Sequence, residues 1–100
     1  MEVIIVNDLD KITAKLVGEI DSTNVAELDA ALKPLYKSEA QIIVLDCEEL
    51  TYISSSGLRA FLVLQKHSIA TKKDLILKSL TPEILYIFKM TGFSSIFKIE

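Results

Sequence analysis

The chain has 100 residues, half of them hydrophobic and a quarter charged, with a formal net charge of −3. That length suits one domain with a single core, residues 1–100, and the composition is globular rather than disordered. The acidic balance argues against general binding to nucleic acid, and no apolar run approaches the ~18–20 residues of a membrane span, so neither is expected as a partner. The one cysteine, Cys47, excludes an internal disulfide and a cysteine-based zinc site. The start Met-Glu-Val-Ile-Ile-Val-Asn-Asp lacks the basic and apolar regions of a signal peptide, and a cytoplasmic location is expected.

Residues 2–7 and 11–17 are β-rich runs joined by Asp8-Leu9-Asp10, which suits a hairpin. In the second run Ile12, Ala14 and Leu16 alternate with Thr13, Lys15 and Val17, giving one wetter face. Gly18-Glu19-Ile20-Asp21 leads into a helix over about 23–37, with Ser22 as its candidate cap. Val25, Leu28, Ala31, Leu32 and Leu35 share one helical face, and Pro34 is expected to loosen the last turn.

Gln41–Asp46 holds Ile42-Ile43-Val44-Leu45, a run expected to be a parallel strand buried on both faces, followed by a loop. The next helix spans about 56–69. Leu58, Phe61, Leu62 and Ile69 form one apolar stripe on it; Ala60, Val63 and Leu64 form another, together with His67. Leu75-Ile76-Leu77 reads as a short strand. Thr81-Pro82-Glu83 starts a helix that ends near Gly92, and Ile96-Phe97-Lys98 reads as an edge strand. The order β-β-α-β-α-β-α-β predicts an α/β fold: one compact domain with a mixed, mostly parallel sheet, an antiparallel N-terminal hairpin and three or more helices.

Chemistry gathers at Ser54-Ser55-Ser56-Gly57-Leu58, between the apolar strand and the helix after it. Loops at the carboxyl ends of strands are where sites collect in open α/β sheets. Three hydroxyls there can cap free backbone N–H groups or accept a modification, and local chemistry leaves both open. A phosphate would add about −1.5 to −2 charge, which a helix N-terminus tolerates. The effect is expected on a partner packed against the turn, not on the fold. Gly57 lacks a Cβ where another backbone or a partner can come close. Arg59, on the flank, can meet an acidic partner group.

A hydrolase is disfavoured. No Gly-x-Ser-x-Gly elbow is present, and the lone His67 lies about three turns along the helix, pointing away from the serines. No P-loop glycine pattern occurs. Asp21, Asp46 and Glu48 lack a diagnostic metal spacing, Glu49 adds acidity beside them, and no metal or cofactor is expected.

Taken together, Gly18-Glu19-Ile20-Asp21 before one helix and Tyr52-Ile53-Ser54-Ser55-Ser56-Gly57-Leu58 before another resemble the anti-sigma-factor antagonist family, the stand-alone STAS domains. The resemblance covers nearly the whole chain. It implies a binding protein, not an enzyme, whose partners are a serine-kinase anti-sigma factor and a serine phosphatase. In that family a serine of an Asp-Ser-Ser/Thr-Gly-Leu motif is phosphorylated, which by position is Ser55, with Ser54 and Ser56 as alternatives. Asp21 matches an acidic position near the acceptor. The partner surface is expected over Asp21, Ser22, Thr23, Ser54, Ser55, Ser56, Gly57, Leu58, Arg59 and Val63. Ser54 stands where many members have Asp. The alternative is a non-phosphorylated STAS adaptor in a larger signalling or lipid-transport complex.

Overall fold

A computed structural model describes residues 1–100. Strands β1 (Glu2–Asp8) and β2 (Lys11–Ile20) form an antiparallel hairpin in unbroken register from Glu2↔Val17 to Asp8↔Lys11. Helices α1 (Val25–Ala31) and α2 (Lys33–Lys37) lead to β3 (Ile42–Ile53). Helix α3 (Ser55–Ala70) leads to β4 (Asp74–Lys78), and α4 (Pro82–Met90) and a 3-10 turn (Phe93–Ser95) lead to β5 (Lys98–Ile99). The sheet order is β1-β2-β3-β4-β5, with every pair after the hairpin parallel. This is the expected mixed α/β domain.

That order fixes where the core lies. Parallel crossovers are right-handed. Three in succession, all stepping the same way across the sheet, put their helices on the same face. The buried side chains agree. Ile12, Ala14, Leu16 and Ile20 of β2, Ile43, Leu45, Cys47, Leu50 and Ile53 of β3, and Leu75 and Leu77 of β4 join one cluster. The helices add Leu28, Leu32 and Leu35, then Leu58, Phe61 and Leu64, then Ile84 and Phe88. Phe88 links Phe61 and Phe97, with ring centroids 6.2 and 5.7 Å away.

The opposite face carries no helix, which corrects one expectation. Ile43 and Leu45 are buried, but Ile42 and Asp46 on the other face are only half-buried. Val44 is covered there yet stands outside the core cluster. Its neighbours on that face are Thr13, Lys11, Ile76 and Lys78, long or branched side chains whose stems shield it. Lys15 and Glu49 pair at 2.7 Å on the outside of the sheet.

Four further readings also differ. The helix read over 23–37 is two helices, because Pro34 has no N–H to give to the turn before it and a new helix starts at Lys33. The loop expected after Asp46 is strand: β3 runs on to Ile53. Register shifts between Lys15 and Val17 and between Gly18 and Glu19 give β3 extra residues, so its buried positions are spaced by three after Cys47. The two apolar stripes of α3 are replaced by one buried stripe, Gly57, Leu58, Ala60, Phe61, Leu64 and Ser68. Ser68 belongs to it because its hydroxyl donates to the Leu64 carbonyl at 2.9 Å. Val63 and Ile69 are exposed. Finally, the last strand is Lys98–Ile99, while Phe97 turns into the core.

The expected caps of α4 are present. Thr81 accepts from the Ile84 N–H, Pro82 follows it, and Gly92 takes a left-handed φ of 79° after the helix end.

Candidate functional site at the serine turn

Because β3 reaches Ile53, the serine turn sits directly on the end of a central strand. Ile20 and Ile53 are in register, and the Ser54 N–H donates to the Ile20 carbonyl at 2.9 Å. This bond extends the ladder one step past the strands and sets Ser54 beside Asp21.

The three serines have different surroundings. Ser54, in extended conformation, is the N-cap of α3: its Oγ accepts from the Gly57 N–H at 3.3 Å and lies 3.1 Å from Ser56 Oγ. Ser56 is half-buried and shares that contact. Ser55 is the first residue of α3, exposed, with its hydroxyl in no internal hydrogen bond. Its position puts any group on Oγ near the free N–H groups and positive end of a sixteen-residue helix.

Gly57 and Leu58 are buried. A Cβ on Gly57 would lie 2.7 Å from side-chain atoms of both Ile20 and Ile53. The missing side chain therefore admits this chain's own core isoleucines, not a partner or a second backbone. Both residues shape the turn from beneath.

The Asp21 loop is held differently from its reading in sequence. Ser22 is exposed and caps nothing; α1 begins at Val25 after Asn24. Asn24 bends back instead, accepting from the Asp21 N–H at 3.0 Å and donating to the Glu19 carbonyl at 2.9 Å. Asp21 accepts from the Thr23 hydroxyl and, at 2.9 Å, from the Thr23 N–H. These bonds, the Thr23 hydroxyl first, hold its carboxyl below the usual carboxylate range. No hydrogen bond joins Asp21 to Ser55. Asp21, Ser22 and Thr23 form a polar rim beside Ser54.

On the other side of the turn a groove of about 460 Å³ runs between α1–α2 and α3. Ser56, Arg59, Ala60 and Val63 line one wall; Val25, Asp29, Lys33 and Tyr36 line the other. The fold thus places Arg59 and Val63 on one wall with Ser56. Asp29, Lys33 and Tyr36 were not foreseen. The Asp29–Lys33 spacing of four was a legible sign of a shared helix face, but Pro34 obscured which face the broken helix presents. Burial, with Asp29 adding to it, pushes the Tyr36 phenol up.

His67 lies far along α3, half-buried rather than solvated, with its ring edge against Tyr36 at a centroid distance of 4.8 Å. Its Nε2 is buried without a hydrogen-bond partner, and it touches none of the serines. His67 is therefore not placed to activate Ser55. Cys47 is buried and its thiol is pushed up to about 12, by burial first and Asp46 second. Asp21, Asp46 and Glu48 do not converge: no group of three His, Cys, Asp or Glu side chains could hold a metal ion. No helix is long and apolar enough to cross a membrane.

The turn thus sets an exposed serine at a helix start between a polar rim and a groove. Comparison with known proteins gives the family. The STAS domain model matches residues 3–100. The chain is 35% identical over 95 residues to BtrV of Bordetella bronchiseptica, a candidate anti-sigma factor antagonist, covering 91% of this chain and 82% of that one. It is 29% identical over 93 residues to the anti-sigma-B factor antagonist of Listeria monocytogenes, covering 93% and 82%. In fold it is similar to SpoIIAA in unphosphorylated form, with a TM-score of 0.81 at 19% identity over 99% of this chain and 88% of that one. The phosphorylated Bacillus form gives 0.73 at 20% over 99% and 91%. The chain belongs to the STAS domain family. Its named relatives are regulatory binding proteins, not enzymes.

Proposed function

We propose that this chain is an anti-sigma factor antagonist that binds a serine-kinase anti-sigma factor through the serine turn, and is switched off when that kinase phosphorylates Ser55. A serine phosphatase resets it. The observation that carries this reading is the division of labour among the serines: Ser54 accepts from the Gly57 N–H and meets the Ser56 hydroxyl, while the Ser55 hydroxyl is exposed and free. Ser54 replaces the Asp of many relatives, and its hydroxyl still serves as the cap acceptor. Kinase and ATP belong to the cytoplasm, where the chain would act.

The energetics favour a switch in binding. A phosphate at the first position of α3 gains about 0.3–1 kcal/mol from the helix end, so the domain stays folded. A partner seated on the groove, with Arg59, Val63 and the Asp21–Ser22–Thr23 rim at its edges, would have to desolvate a dianion, which costs several kcal/mol.

Incubation with the cognate kinase and ATP, read by mass spectrometry, tests the acceptor: one phosphate on Ser55 is expected, and none in Ser55→Ala. A phosphate on Ser54 or Ser56 would overturn the assignment, and none on the turn would leave a constitutive STAS adaptor instead. Ser55→Asp should weaken kinase binding by at least about tenfold, or about 1.4 kcal/mol, with thermal unfolding nearly unchanged.

A further inference from the structure

The two edges of the sheet are unlike. β5 is two residues long and carries Lys98, a short and charged edge of the kind that resists pairing. β1 is seven residues long and pairs only with β2. Alternate backbone N–H and C=O groups along β1 therefore face outward with no strand to meet them. Natural edges of this length are guarded by Lys, Pro or a bulge. Glu2-Val3-Ile4-Ile5-Val6-Asn7-Asp8 contains no Lys or Pro, and its register has no bulge. Its charges stand only at the ends. Its outer face is apolar and open: Ile4 is 42% and Val6 52% exposed, on the side of the sheet that has no helix.

We propose that β1 pairs with β1 of a second copy of this chain, antiparallel about a two-fold axis normal to the sheet. The product is one ten-stranded sheet with the helices of both copies on the same face. An axis of this kind keeps inward residues opposite inward residues, so it must pass through a single residue pair. Charge and apolar matching select which. An axis at Ile5 opposes Glu2 to Asp8 at both ends, like charges that destabilise a cross-strand pair. An axis at Val6 opposes Ile4 to Asp8 and Ile5 to Asn7. An axis at Ile4 opposes Ile4 to itself, Val3 to Ile5 and Glu2 to Val6. It faces no charge with its like and makes apolar pairs on both faces of the sheet. A joint of five residues buries well under the ~1,200 Å² of a standard interface, so the dimer is weak and concentration-dependent.

Sedimentation equilibrium of the full chain from about 10 µM to about 1 mM should show the average mass rising toward twice the monomer. Ile4→Lys opposes two ammonium groups at the axis and should weaken association at least about tenfold. Val6→Lys adds the same charge to the same edge but faces Glu2 of the second copy, and should preserve or tighten association. Both sites are exposed, so circular dichroism and the thermal midpoint should change little. Ile4→Cys should cross-link under mild oxidation, because the two side chains meet within disulfide reach, while the buried Cys47 stays silent. A monomeric mass throughout would overturn the proposal. So would equal loss of association in Ile4→Lys and Val6→Lys, or failure of Ile4→Cys to cross-link.

Discussion

Ser54 and Ser55 are neighbours with the same side chain and opposite duties. The Ser54 hydroxyl satisfies an N–H that α3 would otherwise leave bare, and the Ser55 hydroxyl satisfies nothing. Ser54→Ala should therefore lower stability by about 1 kcal/mol, a fall of roughly 4–8 °C in the thermal midpoint for a domain of this size. Ser55→Ala should shift the midpoint by no more than about 2–4 °C in either direction, as a surface change away from any such bond. Differential scanning calorimetry of the two variants separates the duties. Cys47 gives a second test through pH. Its thiol is raised in the folded state from an ordinary 9.0 to about 12. The neutral form is the one the core accepts, so its contribution is full below pH 9 and is lost as pH rises from there towards 12. Urea unfolding of the native chain against Cys47→Ala should show a stability difference that shrinks over that window. A thiol reagent at pH 8 should react only after denaturant is added.

Among the elements, three turns hold a non-glycine residue at positive φ: Leu9 in the hairpin, Lys72 before β4 and Ser79 after it. Leu9 and Asp10 are the hairpin's two loop residues, and of these only Leu9 has positive φ, at 54°, while fully exposed. A positive φ at the first loop position is what glycine supplies in such turns. A left-handed conformation costs an L-residue roughly 1–2 kcal/mol, partly offset by the chain entropy glycine brings. Leu9→Gly should thus stabilise by up to about 1 kcal/mol, seen as a higher urea midpoint with an unchanged slope.

Much of this was legible in the sequence, for identifiable reasons. The hairpin, the capped start of α4 at Thr81-Pro82 and the glycine end at Gly92 rest on local signals that tertiary packing does not override. The serine turn was legible for the same reason, being a capping pattern with an excess of hydroxyls. What escaped depends on contacts distant in sequence, or on a local bond that runs against the helix-cap pattern. The second half of β3 hides because Glu48 and Glu49 interrupt its alternation, and only the bulged pairing with β2 restores their neighbours to the core. The far wall of the groove hides because its residues come from helices that Pro34 separates and α3 brings back together. Asn24 hides because its partners, Glu19 and Asp21, lie behind it in a loop and not ahead in the helix.

For the whole molecule, the consequence lies in the uncovered face of the sheet. Every strand after the hairpin steps the same way, so one layer of helices supplies the core and the other side of the sheet meets water. A scan of all substitutions, scored by the fraction of chain that stays folded, should record this as a rhythm. Ile12, Ala14 and Leu16 should reject polar residues by 2 kcal/mol or more where Thr13 and Lys15 accept them within about 0.5 kcal/mol. Along β3 the rhythm should run in twos through Ile43, Leu45 and Cys47, then lengthen to threes at Leu50 and Ile53. The bulges would thus be visible in genetics alone, as a beat that slips just before the chain reaches Ser54. The turn that carries the free hydroxyl is held in phase by that slip: without the extra residues in β3, Leu50 would face water and Ile20 would stand opposite Thr51, so the N–H of Ser54 would not meet the carbonyl of Ile20.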